Sequence, residues 1–568
     1  MPSSLTISCE KQPASGRGGV VVANHPLGTA AGVEILAAGG NAVDAAVATL
    51  LALTVVEPMM VGIAGGGFVH VRSPDGRHSV MDCMSCAPAA AQDDFFTPRF
   101  PEDPLSYEVE GRRNQLGGTA VATPGNLDGW CRLHAKLGRL PFADIVEPAI
   151  RLAARGFVVT HYLAGAAREN EADIAPDAAI CEVLRPGGTV ISAGDRLMQP
   201  DYAESLRLIA RDGASAFHGG PLGDALAERA ARDGGFLASE DMRQYRSIER
   251  EAIFSAYRDY VVVGPPPPAS SGIHVAQMLN ILESDDLRGL GFGSAETLHL
   301  LVEAMRLGFA DRRRHGGDPD FVDVPVERLT SKAYAAELRA RIGSRAAALP
   351  DSAPLAEPND TTHVTIADKD GYVVSATHTI NGIFGARIMV PGTGIIPNNY
   401  MLNFDPRPGR ALSIVPGKRV PTSMAPMIIL KDDALFAALG LPGGLRIFPS
   451  AFQAIVNLID HGMSPQEAVE APRVWTQGGE VEIERVYGDE AAEALRARGH
   501  AVRVMPHIGG GMNMIRFDPN GLMTGAACWR ADGVVAALGG GLARPGVRFW
   551  PDAAPDEDKD ADTAAAKS

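Results

Sequence analysis

The chain has 568 residues, of which 46% are hydrophobic and 21% are charged. These proportions exclude a disordered chain and indicate a globular protein with a large core. The net charge of -16, with Arg312-Arg313-Arg314 as one short basic run, argues against a nucleic-acid partner because phosphate binding needs clustered Lys and Arg.

The cysteine content and the first residues bear on where the protein is found. The six cysteines are too few and too scattered for a disulfide framework, and residues 1–18 lack the apolar segment of about 7 to 15 residues that a secretory signal requires. We therefore expect a cytoplasmic protein. The most apolar segment, residues 42–56, is bounded by Asp44 and Glu57 and is expected to be a buried helix, not a membrane span.

Several elements are predicted before the middle of the chain. Residues 26–57 are rich in Ala, Leu and Val and break at Gly39-Gly40-Asn41, which predicts two helices joined at a glycine C-cap, with Pro58 ending the second. Strands are predicted at residues 68–71 and 79–82, with a turn between them. Helical patterns dominate residues 127–348 apart from a strand-like segment at residues 260–263. Residues 265–272 contain four consecutive prolines and predict a loop or a short extended segment.

The pattern changes after a linker. Residues 351–360 contain two prolines and predict an exposed linker that leads directly to Thr361. β-Branched residues alternate on both sides of Asp370-Gly371, which predicts a hairpin with Thr361 at its open end. Short strands follow to about residue 437, then a helix at residues 449–461 and further strands to residue 547. The acidic, alanine-rich tail, residues 551–568, is expected to be disordered.

Thr361 stands where an amino-terminal nucleophile belongs. A threonine hydroxyl needs a base to remove its proton, and one solution uses the residue's own α-amino group, which must be free. This chemistry requires a chain break: the Thr361 hydroxyl attacks the carbonyl of Asp360, and water releases the new terminus, whose amine has a pKa of roughly 7.7 to 8.0. Periodicity alone favours a plainer interpretation, an edge strand in which Thr is common.

A set of short motifs in a fixed order decides between these interpretations. The motifs are Ala37-Ala38-Gly39-Gly40-Asn41-Ala42-Val43-Asp44-Ala45-Ala46, residues 62–67, Ala122-Thr123-Pro124-Gly125, Pro266-Pro267-Pro268-Ala269-Ser270-Ser271-Gly272, Ala310-Asp311-Arg312, Thr361-Thr362-His363, Asn398-Asn399 and Pro442-Gly443-Gly444. Over nearly its whole length the chain resembles the γ-glutamyltranspeptidase family of amino-terminal nucleophile hydrolases.

The resemblance implies an α+β fold, a four-layer αββα sandwich made from two autoproteolytic subunits. Cleavage between Asp360 and Thr361 would give a large subunit, residues 1–360, and a small subunit, residues 361–568, that remain together as a heterodimer. A dimer of such heterodimers is left open. The implied partner is a small-molecule amide substrate, and neither a cofactor nor a metal is implied.

The resemblance also assigns catalytic roles by position. Thr361 would be the nucleophile, and the hydroxyl of Thr379 would bond to it and orient it. Gly443 and Gly444 would offer backbone amides to the oxyanion, a role that suits glycine because no side chain blocks close approach.

Both charged anchors of a γ-glutamyl head group are missing from this chain. In the family an arginine holds the α-carboxylate, and its match here is Met84. An aspartate grips the α-ammonium, and its match, in the segment that contains Tyr400, is Asn403. The loss of the arginine should cost a carboxylate ligand about 2 to 5 kcal/mol, which is tens to thousands fold in affinity. We therefore expect glutathione to be a poor substrate.

Other positions of the head-group site are partly kept. Thr422 and Ser423 match a Ser-Ser pair that contacts the carboxylate, and Asn381 matches an Asn at the amino group. Hydroxyls and amides without charges suit a neutral or differently shaped acyl group.

Two arginines and one short segment also bear on the substrate site that the resemblance implies. Arg387 and Arg419 are the nearest cations in sequence that could recapture a carboxylate, although we favour their interpretation as solvated surface charges. Residues 404–422 form a short segment where lidded relatives carry a longer insertion. An open site is therefore expected, and it favours hydrolysis over transfer to an acceptor.

The family also includes glutaryl-cephalosporin acylases and an oxamate amidohydrolase, which keep the nucleophile and change the head-group pocket. The leading hypothesis is an amide hydrolase of this kind, acting through an acyl-enzyme on Thr361. The alternatives are a true γ-glutamyltranspeptidase or glutathione hydrolase, and an unprocessed relative that binds a metabolite. A metal-dependent hydrolase is disfavoured because the sequence contains no HExxH motif and no His/Asp cluster at ligand spacing.

Three further signals have plain structural explanations. Cys83 and Cys86 have CxxC spacing without a second ligand pair, so we expect structural cysteines. Residues 62–67 lack the Lys-Ser/Thr of a phosphate loop. His363 and His378 are expected to be packed or half-exposed residues of the strands, not general bases.

Overall fold

The computed structural model describes residues 7–103, 106–347 and 360–540. The linker expected at residues 351–360 therefore lies, except for Asp360, outside the described residues. The expected disordered tail and the end of the last predicted strand segment also lie outside them.

Two antiparallel sheets of seven strands each form the centre of the described part of the chain. In spatial order the first sheet contains β1 (Ala14–Gly16), β18 (Met523–Ala527), β17 (Asn513–Phe517), β13 (Ala434–Gly440), β12 (Met427–Lys431), β9 (Tyr260–Gly264) and β8 (Ile253–Tyr257). The second contains β19 (Val534–Leu538), β2 (Gly19–Ala23), β10 (Thr362–Asp368), β11 (Val373–Thr379), β3 (Gly66–Arg72), β4 (His78–Asp82) and β7 (Ile248–Arg250). Shorter strands pair outside these sheets: β5 (Phe157–Val158) with β6 (Arg196–Leu197), and β15 (Val481–Glu484) with β14 (Val474–Trp475) and β16 (Val502–Met505).

Helices cover the outer faces of both sheets. On the second sheet lie α1 (Pro26–Ala37), α2 (Ala42–Val56) and α3 (Asn126–Leu137), backed by α4 (Phe142–Arg155) and α8 (Pro200–Asp212). On the first sheet lie α11 (Ser271–Leu282), α16 (Ile447–Ile459) and α17 (Pro465–Glu470), backed by α13 (Ala295–His315), α15 (Lys332–Arg339) and α18 (Gly488–Ala497). The remaining helices are α5 (His161–Glu169), α6 (Glu171–Ile174), α7 (Ala178–Leu184), α9 (Pro221–Arg232), α10 (Ser239–Gln244), α12 (Leu287–Leu290) and α14 (Val326–Leu329).

The apolar core is divided by the two sheets, as alternating side chains require. On β2, Val21 packs with the helices on the second sheet, whereas Val20 and Val22 face the other sheet and pack with Ile428 and Ile515. A further cluster lies between the first sheet and its helices. The arrangement is the four-layer αββα sandwich of the α+β class, which confirms the fold expected from the sequence.

Helix α2 shows why the first helix pair forms. Gly39 takes a positive φ of 95° after α1, and Asn41 then caps α2 by accepting the backbone N–H groups of Val43 and Asp44. The Asp44 carboxylate returns a bond to the N–H of Asn41 at 2.9 Å, which completes a capping box. Every residue of the helix is buried, and Glu57 follows its last turn. The predicted pair of helices is confirmed.

The predicted hairpin is present as β10 and β11. Its register pairs Thr362 with His378, which places Thr361 opposite Thr379 at the open end. β10 also pairs with β2, and β11 with β3, so the hairpin lies in the middle of the second sheet. Among the described residues, no helix combines the length and the apolar composition needed to cross a membrane.

Candidate active site

The peptide bond before Thr361 is held by a short series of hydrogen bonds. The hydroxyl of Thr379 donates to the carbonyl oxygen of Asp360 at 2.6 Å, and the amide of Asn381 donates to the Thr379 oxygen at 2.8 Å. The sequence predicted that Thr379 contacts the Thr361 hydroxyl; in this continuous chain its donated bond goes to the Asp360 carbonyl instead. That carbonyl is the group that Thr361 would attack in the expected cleavage, and a donated hydrogen bond polarises it.

The side chain of Asp360 is also fixed, and it is partly buried. Its Oδ2 accepts the backbone N–H of Ile383 at 3.0 Å. Burial raises the pKa of this carboxyl to about 7. Below that pH the group is neutral, so that little negative charge opposes an oxyanion forming on its own carbonyl.

Glu57 is a site residue that the sequence interpretation missed. Its carboxyl is fully buried and accepts a 2.7 Å hydrogen bond from the hydroxyl of Thr362, the residue next to the nucleophile. Burial raises the pKa of Glu57 to about 8. The backbone carbonyl of Glu57 accepts from Met60, whose own carbonyl accepts from Ile380 beyond Thr379. The available signal was a carboxylate directly after the apolar end of the helix.

The turn after β13 contains the two glycines expected at the oxyanion. Gly443 has a φ of 136° and Gly444 a φ of 54°, values that favour glycine. A Cβ on Gly443 would lie 3.0 Å from the Cα of Gly509, which is tighter than nearly all packed Cβ contacts. The turn therefore requires glycine at Gly443 for space as well as for its backbone conformation.

The residues that match the charged anchors of a γ-glutamyl group lie in apolar surroundings. Met84 is fully buried, and Tyr400 is 1% exposed. Both belong to one cluster with Phe68, Phe404 and Met424. A charged head group would therefore meet a largely apolar wall at the position of the missing arginine.

The remaining expected substrate residues are buried near this cluster. Asn403 is 5% exposed, and its Oδ1 has no hydrogen-bond partner within the described ranges. Thr422 accepts the amide of Met424 at 3.3 Å, and Ser423 is fully buried. The side-chain amide of Asn381 donates to Oδ1 of Asn399 at 3.1 Å, so this amide already has a hydrogen-bond partner within the protein. Asn403 Oδ1 is thus a buried acceptor that is left unpaired in this arrangement.

Arg419 is not the solvated surface charge expected from the sequence. Its side chain is 8% exposed and donates to the Met84 carbonyl at 3.0 Å and to Asp82 Oδ1 at 3.3 Å. Burial alone would lower the pKa of Arg419, but Tyr245 and Asp82 outweigh it and the pKa is raised. The guanidinium lies beside the position of the missing arginine and is engaged with protein acceptors there.

The expectation of a solvated charge is also wrong for Arg387. Its side chain is 14% exposed, pairs with Asp173 at 2.9 Å and donates to Asn170 at 2.9 Å. Local sequence could not show this, because Asp173 and Asn170 come from a helical segment more than 200 residues earlier.

The two histidines of the hairpin are packed residues, as predicted. His363 is hydrogen-bonded to the hydroxyl of Thr377 at 2.8 Å, and His378 to Asn126 at 2.7 Å. Burial lowers the pKa of both to about 3, so that each is neutral near pH 7. Because both rings are already hydrogen-bonded to side chains of the sandwich, neither is placed as a base for Thr361.

A possible metal-binding group that the sequence did not reveal comes together away from this site. His299, Glu303 and His500 are buried, and their ligand atoms lie within 4.8 Å of one another. Each already has a protein partner: His299 is hydrogen-bonded to His500 at 2.8 Å, and Glu303 pairs with Arg306. These bonds account for the cluster without an ion. Cys83 and Cys86 are free thiols and have no such neighbours among the described residues.

A large open cavity borders the peptide bond before Thr361. It has a volume of about 630 Å³, and Asp360 forms part of its wall. The rest of the wall includes Tyr162, Arg446, Gly510, Trp529 and Asp532. The nucleophile segment therefore adjoins a space large enough for a small organic molecule.

Comparison with known proteins agrees with this geometry. The sequence profile described as γ-glutamyltranspeptidase matches residues 28–538. The chain belongs to the γ-glutamyltranspeptidase family. It is thus an enzyme of the amino-terminal nucleophile hydrolase class, whose members are amide hydrolases and acyltransferases.

Relatives within the family carry two kinds of name. The chain is 56% identical over 550 residues to an acylase ACY 1 proenzyme of a Pseudomonas species, covering 97% of this chain and 99% of the relative. It is 35% identical over 533 residues to a glutathione hydrolase proenzyme of Escherichia coli, covering 91% of each. A cephalosporin acylase structure from Bacillus halodurans superposes with a TM-score of 0.84 at 31% identity, covering 95% of this chain and 99% of that one.

Proposed function

We propose that this member of the γ-glutamyltranspeptidase family is an autoprocessed amide hydrolase of the acylase type, cut between Asp360 and Thr361. The observation that carries the proposal is the 2.6 Å hydrogen bond from Thr379 to the carbonyl of Asp360. It activates the one carbonyl whose attack by Thr361 would free an amino-terminal nucleophile.

The processing step follows from these positions. The Thr361 hydroxyl oxygen bonds to the carbonyl carbon of Asp360, the carbon–nitrogen bond breaks, and the hydroxyl proton passes to the departing nitrogen, which becomes the α-amine of Thr361. Water then hydrolyses the resulting ester and leaves a carboxylate on Asp360. The free amine, with a pKa near 8, can afterwards act as the base for its own hydroxyl.

Turnover would use the same groups. The Thr361 oxygen attacks the substrate amide, the amine portion leaves with a proton, and water hydrolyses the acyl ester. The turn of Gly443 and Gly444 is suited to holding the oxyanion of each tetrahedral intermediate with backbone amides. Hydrolysis is proposed over transfer, because the short segment at residues 404–422 leaves the site open to water.

We propose that the acyl group is not γ-glutamyl, which carries both a carboxylate and an ammonium group at its far end. Its far end is instead neutral or carries a single charge, as that of glutaryl does. Met84 stands within an apolar cluster where the family places an arginine, and Arg419 nearby is engaged by Asp82 and the Met84 carbonyl. Asn403, with an unpartnered oxygen, can accept a hydrogen bond but cannot pair with an ammonium group as aspartate does. The 56% identical acylase supports this choice.

The processing proposal is tested with Thr361→Ala. Wild-type protein should run as two fragments on a denaturing gel, with a mass corresponding to a terminus at Thr361, whereas the variant should remain one chain and lack activity. Thr393→Ala, which changes another buried threonine, serves as the matched control and should be cleaved normally. Active wild-type protein that remains uncut would contradict the proposal.

The acyl preference is tested on processed protein with p-nitroanilides of glutaric acid, γ-glutamate and oxamic acid. We expect kcat/KM for the glutaryl compound to exceed that for the γ-glutamyl compound by about tenfold or more, because only γ-glutamyl carries an α-ammonium group, which Asn403 cannot pair with as an aspartate would. A γ-glutamyl preference would assign the chain to the glutathione hydrolases instead.

A further inference from the structure

The loop between β18 and β19, residues 528–533, forms part of the wall of the cavity beside the peptide bond before Thr361. Four of its residues border that cavity: Trp529, Arg530, Ala531 and Asp532. The loop leads directly into β19, which pairs with β2, and β2 in turn pairs with β10, the strand that begins next to Thr361. The conformation of this loop therefore bears on the surroundings of the nucleophile.

A single lysine near the start of the chain holds the backbone of this loop. The ammonium group of Lys11 donates to three carbonyl oxygens, those of Cys528 at 3.1 Å, Ala531 at 2.7 Å and Gly533 at 2.6 Å. An ammonium group has three donors, and all of them are used here. The acceptors stand at the beginning, in the middle and at the end of the loop, so that one cation spans its whole length.

The main chain around Lys11 is itself fixed. β1 pairs antiparallel with β18, and continuing their register brings Lys11 opposite Cys528. The carboxylate of Glu470, at the end of α17, accepts the backbone N–H of Glu10 at 2.6 Å and that of Lys11 at 3.2 Å. Glu470 is buried. The lysine side chain is therefore directed at the loop by a fixed backbone and is not a freely moving surface charge.

The shape of the loop depends on the cation that its carbonyl groups surround. Without the ammonium group, three oxygens with partial negative charge would face one partly buried point with no donor between them. Buried acceptors that are left unpaired are unfavourable, so the loop would have to turn these carbonyls toward water. Trp529 and Asp532 lie between the acceptors in sequence and would move with them.

We propose that Lys11 is a positioning residue, whose ammonium group sets the shape of the 528–533 loop and, through it, the cavity wall beside Thr361. Lys11 lies before the proposed cut and the loop lies after it, so both parts of the chain would contribute to this wall. The effect on turnover rests on the proposed function, whereas the effect on the loop does not.

Hydrogen exchange tests the contact on the protein as purified, whether cut or uncut. The peptide that covers residues 528–533 should exchange faster in Lys11→Ala than in the wild type. Propylammonium, which replaces the missing atoms of the side chain, should slow the exchange again. Tetramethylammonium carries the charge without an N–H donor and should have no effect. Unchanged exchange in Lys11→Ala would overturn the proposal.

Lys332 supplies a matched control. Its ammonium group also donates three hydrogen bonds, to Ala256, Asn280 and Glu283, each at 2.6 Å. These bonds join α15 to β8 and to the end of α11, at the far edge of the first sheet. Lys332→Ala should leave exchange in the 528–533 peptide unchanged. An equal acceleration in both variants would assign the effect to general destabilisation and overturn the role of Lys11.

Turnover tests whether the loop positions the site. For the glutaryl p-nitroanilide we expect kcat/KM of Lys11→Ala to fall about 10-fold to 100-fold, because small displacements within a site have effects of this size. Propylammonium should restore part of the loss, and Lys332→Ala should match the wild type. Faster exchange without any loss of kcat/KM would overturn the positioning role.

The two measurements separate this proposal from the proposed function. Wild-type protein that hydrolyses none of the three anilides would contradict the proposed function, while hydrogen exchange would still decide whether Lys11 shapes the loop. Activity that is lost in Lys11→Ala and not restored by propylammonium would assign the loss to general destabilisation and overturn the role of the ammonium group.

Discussion

At the scale of single residues, two hydrogen bonds determine which carbonyl is activated. Asn381 donates to Thr379, and Thr379 donates to Asp360, so that the hydroxyl proton of Thr379 is directed at the oxygen that will carry negative charge. Ile383 holds the Asp360 carboxyl from the other side. If Thr361 is the nucleophile, as proposed, its reactivity toward this carbonyl depends on these neighbours and not on the threonine alone.

Thr379→Val should slow cleavage at Thr361. Valine has nearly the same shape but no donor, and loss of one oxyanion donor typically costs about 100-fold to 1,000-fold in rate. The fraction of uncut chain on denaturing gels, followed with time after refolding, measures the effect. Thr379→Ser keeps the hydroxyl and should be cut at a near-normal rate; a similar delay in both variants would show that the hydroxyl is not the cause.

Glu57→Gln should change the pH dependence of stability. Because burial raises the folded-state pKa of Glu57 to about 8, the folded chain holds a proton that the unfolded chain has lost above about pH 4.5. The free energy of unfolding of the wild type therefore falls as the pH rises from about 4.5 to about 8. Glutamine does not titrate, so the variant lacks this pH dependence. In a Thr361→Ala background, urea unfolding should show Glu57→Gln more stable by about 3 kcal/mol at pH 7, with the difference vanishing near pH 4.5. A difference independent of pH would refute this explanation.

At the scale of elements, both ends of helix α2 are hydrogen-bonded to strand β10, which begins next to Thr361. Asn41 begins the helix, and the amide of Ala42 donates to Asp368 at the end of β10 at 2.7 Å. At the other end of the helix Glu57 bonds to Thr362 at the start of β10. One buried helix therefore holds both ends of the strand that begins at the nucleophile.

Asn41→Ala should weaken this arrangement. The variant loses the capping box and a 2.7 Å bond from the side chain of Asn41 to Leu137, and we expect a loss of about 1 to 3 kcal/mol in the free energy of unfolding. Chemical denaturation measures it. Ser331→Ala removes the cap of the short helix α15 and should cost less, because that helix does not contact the nucleophile strand; equal costs would argue against a special role for α2.

At the scale of the whole molecule, a cut before Thr361 would separate the chain but not the sheets. In the second sheet β10 pairs with β2 and β11 pairs with β3, and in the first sheet β12 pairs with β9. Each sheet thus takes strands from both sides of the cut. The cytoplasmic location expected from the sequence remains a prediction, and a dimer of heterodimers remains open.

The two fragments should therefore stay together after cleavage. Processed protein is expected to elute from gel filtration as one particle that contains both fragments, and to release them only at denaturant concentrations that also unfold the sandwich. The Thr361→Ala chain should elute at the same volume. Fragments that separate in dilute buffer would contradict the interleaved sheets.

Local patterns were sufficient for those features that depend on neighbouring residues. Alternation predicted the hairpin, caps and glycines predicted the α1–α2 pair, and the order of short motifs identified the family and Thr361. Each of these depends on backbone preferences that a few adjacent residues determine.

The electrostatic character of the site was decided only by the tertiary structure. Arg419 and Arg387 were expected in solvent and are mostly buried, and the contact of Glu57 with Thr362 joins residues 305 positions apart. Burial and charge depend on which distant groups exclude water from a side chain, and no local pattern carries that information. The sequence alone therefore determined the family and predicted Thr361 as the nucleophile, whereas folding determined the burial of the charged groups, the hydrogen bond to the Asp360 carbonyl and the cavity beside it.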